Sequence, residues 1–194
     1  MSTPIGHIRN PSATQGAKAA LAPHPRVMTR TPADFEGLDA ALAEMRAAGV
    51  STIIIEGGDG TVREVISRAI PLWAGAAPDF AILAAGNTNL VARKAGRIDA
   101  EGAARLIAGA ATARRRDVAL LKLERQSLPT LRGFIMGAGA YAAATRLAQR
   151  DIGARHGAQV AQTVLRLLSS SEMRAPSQIG FAAGGGAPAP PPPP

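Results

Sequence analysis

The fold is decided by the stretch Ile53-Ile54-Ile55-Glu56-Gly57-Gly58-Asp59-Gly60-Thr61, which joins a strand pattern to a helix pattern. Three consecutive β-branched isoleucines favour a buried strand, and residues 62–70 carry apolar side chains at helical spacing. Glycine reaches positive φ and lacks a Cβ, so the turn can bring backbone N–H groups against phosphate oxygens. The start of the helix adds unpaired N–H groups and the positive end of its dipole. The stretch therefore predicts a strand, a glycine turn and a helix that together bind an anion.

The turn also contains one carboxylate, Asp59, among its three glycines. A carboxylate beside phosphates is repulsive unless it orders the loop, meets a metal ion or handles a proton. Its presence favours chemistry over passive anion binding, and Asp59 is the predicted catalytic residue. The alternative, a tight turn without a ligand, needs fewer glycines than this one has.

The composition is that of a cytoplasmic globular protein. The chain has 194 residues, enough for one to one and a half domains, and 46% of them are hydrophobic, so a core can form. It has no cysteine, which excludes disulfides and Cys-ligated zinc and fits a reducing cytoplasm. The three histidines, at positions 7, 24 and 156, lack metal-ligand spacing, and a satisfied or surface role is expected for them.

The net charge of +8 favours an anionic partner such as a nucleotide, an acidic lipid or a nucleic acid. Aromatic residues make up only 3% of the chain, and no helix-turn-helix or zinc pattern occurs, so no nucleic-acid partner is predicted. No apolar run has the length needed to span a bilayer, and residues 1–9 lack the pattern of a secretory signal. We expect a cytoplasmic protein that makes peripheral contact with membranes.

Strand and helix patterns alternate up to about Gly109. Alternation of this kind predicts an α/β fold, a Rossmann-like lobe whose parallel sheet has helices on both faces. Ligands bind such sheets beyond the carboxyl ends of the strands, where both glycine turns lie. The predicted strands are residues 6–9, 26–29, 50–55 and 80–83. The predicted helices are a weak one at 13–21, one that starts at Thr31 and Pro32 and ends at Gly49, one at 62–70, one at 90–94, and one from Asp99 to Gly109. Thr61 and Glu64 have the spacing of a capping box at the start of the helix at 62–70.

The pattern changes after Arg116. Residues 118–123 and 133–136 read as an antiparallel pair of strands, and residues 141–168 are largely helical. The glycines and prolines after residue 175 cannot bury apolar surface. The predicted domains are a nucleotide-binding lobe at 1–112, an incomplete β-rich second lobe at 113–174 and a disordered tail at 175–194.

Three motifs, in order, resemble one family. They are Asn10-Pro11-Ser12 after the first strand, GGDGT at 57–61, and GNTNLVAR at 86–93. Together they are similar to the catalytic domain of diacylglycerol kinases and related bacterial lipid kinases, a family that shares its nucleotide-binding lobe with sphingosine kinases and, more distantly, NAD kinases. Asp117 and Gly137-Ala138-Gly139 also resemble the entry into the second domain of that family, so the resemblance covers about residues 5–147.

The resemblance implies an ATP-dependent kinase that, with Mg²⁺, transfers the γ-phosphoryl group to a lipid hydroxyl at a membrane surface. The glycine loop would hold the phosphates. The resemblance identifies no metal ligands in this chain, so the residues that would bind Mg²⁺ stay unknown. The positions that it assigns to the nucleotide site are Asn10, Thr29, Gly57, Gly58, Asp59, Gly60, Thr61, Val62, Arg63, Asn87 and Asn89.

The chain departs from the family at two of these positions. Arg63 replaces an asparagine, and Asn87 replaces a threonine. Arg63 remains compatible with the site because a guanidinium pairs with phosphate oxygens. Two roles stay open: Glu64 matches a family glutamate or only caps its own helix, and Asn89 contacts the nucleotide or only ties its own turn.

Three functions follow as alternatives. The first is lipid kinase activity on a neutral alcohol such as diacylglycerol. The second is nucleotide binding without catalysis, because the family takes its metal-binding and proton-accepting carboxylates from a second lobe that is incomplete here. The third is an NAD kinase, which is disfavoured because the chain lacks a second glycine motif of that kind and GNTNLVAR matches lipid kinases better.

Overall fold

The computed structural model describes residues 3–13, 21–86, 89–109, 115–125 and 127–134. The chain divides into two compact units, Met1–Ile135 and Met136–Pro194, and every described residue belongs to the first. The helix predicted at 141–168 and the tail after 175 lie outside the described residues, as does most of the weak helix predicted at 13–21. The domain boundaries proposed from the sequence stay predictions.

The centre of the described unit is a parallel sheet. Its four strands lie in the order β2-β1-β3-β4, so the chain reverses direction across the sheet between β1 and β3. A reversal of this kind opens a crevice at the carboxyl ends of those two strands, where α/β proteins bind ligands. The strands are β1 (Ile5–Arg9), β2 (Val27–Arg30), β3 (Thr52–Gly57) and β4 (Asp79–Ala84).

Helices cover both faces of this sheet, as predicted. On one face Ile53 and Ile55 of β3 pack with the buried residues of α1 and α2. On the other face Ile54 packs with Ala103 and Ile107 of α4, because neighbouring side chains of a strand point to opposite sides. The helices are α1 (Phe35–Ala47), α2 (Asp59–Leu72), α3 (Leu90–Ala95) and α4 (Ala100–Ala108).

The start predicted for α1 is wrong, whereas its end is confirmed. The N-cap is Asp34, whose side chain accepts a hydrogen bond of 2.7 Å from the amide of Gly37. The helix therefore begins at Phe35, and Thr31 and Pro32 precede it. Gly49, at φ +73°, follows its last turn.

The capping box predicted for α2 is also wrong. The helix begins at Asp59 with Gly58 as its N-cap, which makes no side-chain cap bond. Thr61 is thus inside the first turn, and Glu64 forms ion pairs with basic side chains instead of reaching back to the N-cap. The predicted apolar stripe is confirmed: Val62, Val65, Ile66 and Ala69 are buried.

The antiparallel pair predicted after Arg116 is confirmed with different bounds. It consists of β5 (Leu121–Arg125) and β6 (Leu128–Gly133), so Gly133 ends the second strand and does not begin it. The pair is anchored to α2, because the Ser67 hydroxyl accepts a bond of 2.7 Å from the Arg132 amide and donates one of 3.2 Å to its carbonyl. No helix in the described part of the chain is both long and apolar enough to cross a membrane.

Candidate functional site

Three turns meet at the carboxyl edge of the sheet. The backbone pairing of β1 with β3 continues past the strands, since the amide of Asn10 donates to the carbonyl of Glu56 at 2.9 Å. On the other side of β3, the amide of Ala85 donates to the carbonyl of Gly57 at 3.0 Å. The Asn-Pro-Ser turn and the two glycine turns are therefore neighbours; the order of elements predicted this of the two glycine turns.

Close packing explains Gly57 and Gly86 in these turns, but it does not explain Gly60. A Cβ on Gly86 would lie 2.6 Å from the Cα of Gly58, and one on Gly57 would lie 2.6 Å from the side chain of Thr61. A Cβ on Gly60 would meet nothing within 4 Å. The predicted need for positive φ is wrong here, because the described glycines with positive φ are all elsewhere in the chain. The two glycine turns touch through their backbones, and a side chain would separate them.

The carboxylate of Asp59 joins the first glycine turn to α3. Its Oδ2 accepts a hydrogen bond of 3.0 Å from the amide of Leu90, and its Oδ1 accepts one of 2.8 Å from the amide of Val91. Both oxygens thus pair with unsatisfied amides of the first turn of α3, next to the positive end of its dipole. Of the three roles considered for this carboxylate, the contacts support ordering of the loop. Its catalytic role stays a prediction.

Asn89 closes the second glycine turn on itself. Its Oδ1 accepts a bond of 2.9 Å from the amide of Gly86, and its Nδ2 donates one of 2.6 Å to the carbonyl of Gly86. The residue has a left-handed backbone conformation, with φ at +49°, which asparagine tolerates better than most residues. These contacts support the turn-forming role that the sequence left open.

The amides of residues 58–61 face no acceptor among the described residues. Those of the first helical turn have no partner within α2 itself because a helix leaves its first N–H groups unpaired. Gly60 is exposed and Gly58, Asp59 and Thr61 are half-buried, so this end of the helix is open at its surface. The first turn of α2 thus retains free backbone donors, as an anion-binding turn requires.

Asn10 links the first turn of the chain to this helix. Its Nδ2 donates a bond of 2.8 Å to the hydroxyl of Thr61, and its Oδ1 accepts one of 3.0 Å from the amide of Ser12. The asparagine thus forms its own turn and also holds the threonine of the glycine loop. Val62, only 1% exposed, packs in the core and offers a ligand no side-chain contact.

Arg63 is half-exposed and already has a partner. Its Nη2 lies 2.6 Å from Oε1 of Glu64, whose other oxygen lies 3.7 Å from Nε of Arg68. The pairing holds Glu64 beside the loop, and a phosphate would compete with that carboxylate for Arg63.

A buried polar network lies next to the loop and was not predicted. His7, 2% exposed, is placed between two partners: its Nδ1 lies 3.2 Å from the hydroxyl of Thr29 and its Nε2 lies 3.0 Å from Oε2 of Glu56. Glu56 is fully buried, and its Oε1 accepts a bond of 3.2 Å from Nε of Arg9. The network links the carboxyl ends of β2, β1 and β3. Its signal in the sequence was a polar residue at an inward position of two otherwise apolar strands.

Burial lowers the pKa of His7, because the imidazolium loses its water there. The charge of Glu56 and its hydrogen bond act in the opposite direction and raise the pKa, and the charge of Arg9 lowers it further. The direction favours a neutral ring.

The remaining predicted positions divide as follows. Thr29 is exposed at the end of β2, two strands from the glycine loop. Asn87 lies outside the described residues. Within the part of the chain that the structure describes, no three His, Asp or Glu side chains are grouped to hold a metal ion.

Comparisons with known proteins give a family and several relatives. The profile of the diacylglycerol kinase catalytic domain family matches residues 8–121. Proteins of Salmonella dublin, Salmonella choleraesuis and Salmonella typhimurium, each named "Probable lipid kinase YegS", are 38% identical to this chain over 78 residues. That match spans 40% of this chain and 26% of each relative.

Solved structures with a similar region come from Bacillus anthracis str. Sterne. A diacylglycerol kinase of that organism is 27% identical, with a TM-score of 0.44, over 55% of this chain and 40% of the other. A second structure from the same organism is 28% identical with the same TM-score and coverage.

Proposed function

Since this chain belongs to the diacylglycerol kinase catalytic domain family, whose profile covers residues 8–121, we propose that it binds ATP at the carboxyl edge of its sheet and transfers the γ-phosphoryl group to the hydroxyl of a lipid alcohol. The proposed lipid is neutral, such as diacylglycerol. The relatives with "lipid kinase" in their names favour this acceptor over NAD.

One observation carries the proposal. The amides of residues 58–61, which donate to no acceptor in the described part of the chain, lie at the positive end of α2 and beside the crevice where the strand order reverses. Amides and dipole both favour a negatively charged group. A triphosphate supplies that charge.

The contacts around the loop suggest what each residue does for the nucleotide. Asp59 keeps α3 and the second glycine turn against the first, because its carboxylate accepts from two amides of α3. Asn10 fixes the hydroxyl of Thr61 at 2.8 Å. In phosphoryl transfer the protein contributes mainly positioning and charge stabilisation, and these residues provide a rigid loop for both.

Mg²⁺ belongs to the proposal through the family. When it binds with ATP it neutralises charge on the β- and γ-phosphates. Among the described residues no three His, Asp or Glu side chains are grouped to ligate it.

The net positive charge of the chain favours contact with a lipid surface. With a net charge of +8 the chain is attracted to anionic lipids, at about 1 kcal/mol for each well-placed basic residue near the surface. We infer a peripheral contact with the cytoplasmic face of a membrane.

A second candidate is nucleotide binding without transfer. The observation that favours it is that both oxygens of Asp59 already accept from backbone amides. In this arrangement the predicted catalytic carboxylate has a structural role.

A kinase assay separates the two candidates. The chain is incubated with radiolabelled ATP and Mg²⁺ and with vesicles of diacylglycerol in anionic lipid; vesicles without diacylglycerol are the control, and NAD is a second acceptor. Label in the lipid fraction that depends on diacylglycerol supports the kinase. ATP binding by calorimetry without labelled lipid supports the second candidate, and absence of ATP binding contradicts both.

A further inference from the structure

We propose that His7 is a positioning residue that makes the hydroxyl of Thr29 a hydrogen-bond acceptor, so that the site selects a nucleotide with a donor at that point, a ribose hydroxyl or the amino group of adenine. The inference rests on the proposed nucleotide binding and names a specificity of the same site.

Four hydrogen-bonded side chains form a continuous row across three strands: Thr29, His7, Glu56 and Arg9. The register pairs His7 with Thr29 between β1 and β2, and Arg9 with Glu56 between β1 and β3. The same face of the sheet carries Ile5 of β1 at its other end, packed in the apolar cluster beside α4. The face thus changes from apolar to polar towards the carboxyl edge, where the ligand is proposed to bind.

The direction of each hydrogen bond in the row is fixed from one end. A guanidinium only donates, so Arg9 donates to Oε1 of Glu56 at 3.2 Å. The carboxylate accepts again at Oε2, 3.0 Å from the ring of His7, so Nε2 carries the proton of the ring. The other nitrogen, Nδ1, is then bare in the neutral ring and accepts from the hydroxyl of Thr29 at 3.2 Å.

This arrangement occupies the only hydrogen of the Thr29 hydroxyl. The oxygen keeps lone-pair capacity, and the residue is exposed, so it offers a ligand an acceptor. β2 and β3 are separated by β1 alone, and the register places Thr29 level with Ile54, two strand spacings, ~10 Å, across the sheet. The glycine loop begins three residues further along β3, at Gly57, another ~10 Å towards the carboxyl edge. A nucleotide held at the loop by its phosphates can place its nucleoside near Thr29.

Substitution of Glu56 by glutamine should reverse the donor and acceptor roles in the hydrogen bonds of His7 with residue 56 and with Thr29. The Nε–H of Arg9 that bonds to Glu56 can only donate, so the amide oxygen stays with it and the NH₂ group turns to His7. His7 Nε2 must then accept, which moves the ring proton to Nδ1. The ring now donates to Thr29, and the hydroxyl hydrogen becomes available to the ligand.

Calorimetric titration of the full chain tests this. The ligands are ATP, ITP, which replaces the amino group by an oxo group, and 2′-deoxy- and 3′-deoxy-ATP, which each lack one ribose hydroxyl. The proteins are the parent chain, Glu56→Gln, Thr29→Val and, as a matched loss of charge on an exposed helix, Glu101→Gln. Circular dichroism checks the fold of each variant.

The parent chain should bind ATP about three- to tenfold more tightly than the analogue that lacks the donor, which identifies the donor as amine or hydroxyl. Glu56→Gln should reduce that ratio towards one or invert it, Thr29→Val should abolish it, and Glu101→Gln should keep it. A purely structural role of the row would weaken all four ligands equally.

Two results overturn the inference while ATP binding stands: equal affinity of the parent chain for all four ligands, or an unchanged ratio in Thr29→Val. If Glu56→Gln folds and keeps the parent ratio, the role of His7 is likewise refuted. If Glu56→Gln fails to fold, His7→Gln replaces it, and a parent ratio in that variant refutes the role. Failure of the parent chain to bind ATP removes the proposed function and the inference with it.

Discussion

The carboxylate of Asp59 and the backbone amide of Val91 are joined by a hydrogen bond of 2.8 Å between residues that lie 32 positions apart. With the bond to Leu90, it makes the aspartate of the first glycine turn the cap of the helix that follows the second. The conformation of each turn therefore depends on the other.

Asp59→Ala should cost the protein both stability and turnover. The loss of a side-chain cap typically costs about 0.5–2 kcal/mol, and here the second glycine turn also loses its attachment. We expect a lower urea midpoint and no transfer of phosphate to lipid. Asp99→Ala is the control, because Asp99 caps α4 in the same way, with a bond of 2.7 Å to the amide of Gly102. That variant should lose stability and keep ATP affinity. Full activity in Asp59→Ala would remove the residue from its catalytic and ordering roles.

Gly86→Ala and Gly60→Ala should differ sharply. A Cβ at position 86 would lie 2.6 Å from the Cα of Gly58 and would force the two glycine turns apart. We expect a loss of about 1–3 kcal/mol in the free energy of unfolding, and weaker ATP binding. A Cβ at position 60 meets nothing within 4 Å, and alanine is the better helix former, so this variant should be as stable as the parent or slightly more so. Equal behaviour of the two in urea titration and calorimetry would contradict the close contact between the turns.

The free energy of unfolding should decrease as the pH is lowered below the ordinary pKa of histidine. The fold lowers the pKa of His7, so between its folded and unfolded pKa values the native state binds fewer protons than the unfolded state. Stability from this group is complete above about pH 6.5, the unfolded value, and is lost as the pH falls through the folded value. Urea midpoints measured from pH 7.5 down to pH 5 should follow this course in the parent chain. His7→Gln should flatten the pH dependence; an unchanged slope would show that other groups cause it.

The local part of the site was accessible from the sequence. The isoleucine run, the glycines and the apolar stripe from Val62 to Ala69 are contiguous signals, and they predicted that a strand, a turn and a helix follow one another here. The positive φ expected in the turn and the capping box expected for the helix were wrong. Because β3 and β4 are successive parallel strands, the meeting of the two glycine turns at one edge followed from their order.

The contacts between distant residues were not accessible. The bonds of Asp59 to α3 depend on how closely β3 and β4 approach, and the pairing of His7 with Glu56 depends on the register of β1 with β3. Neither is encoded in local spacing. The predicted start of α1 was wrong for another reason. Thr31-Pro32 is a valid local signal for a helix start, but Asp34 is the N-cap instead, because its side chain accepts a hydrogen bond from the amide of Gly37.

We propose that the amides of residues 58–61 bind the triphosphate of ATP. Two-dimensional NMR of the ¹⁵N-labelled chain during titration with ATP observes these amides one by one. We expect the largest chemical-shift changes at the backbone amides of Gly58, Asp59, Gly60 and Thr61, and smaller ones at Thr29. Shifts absent from these four amides at saturating ATP would contradict it.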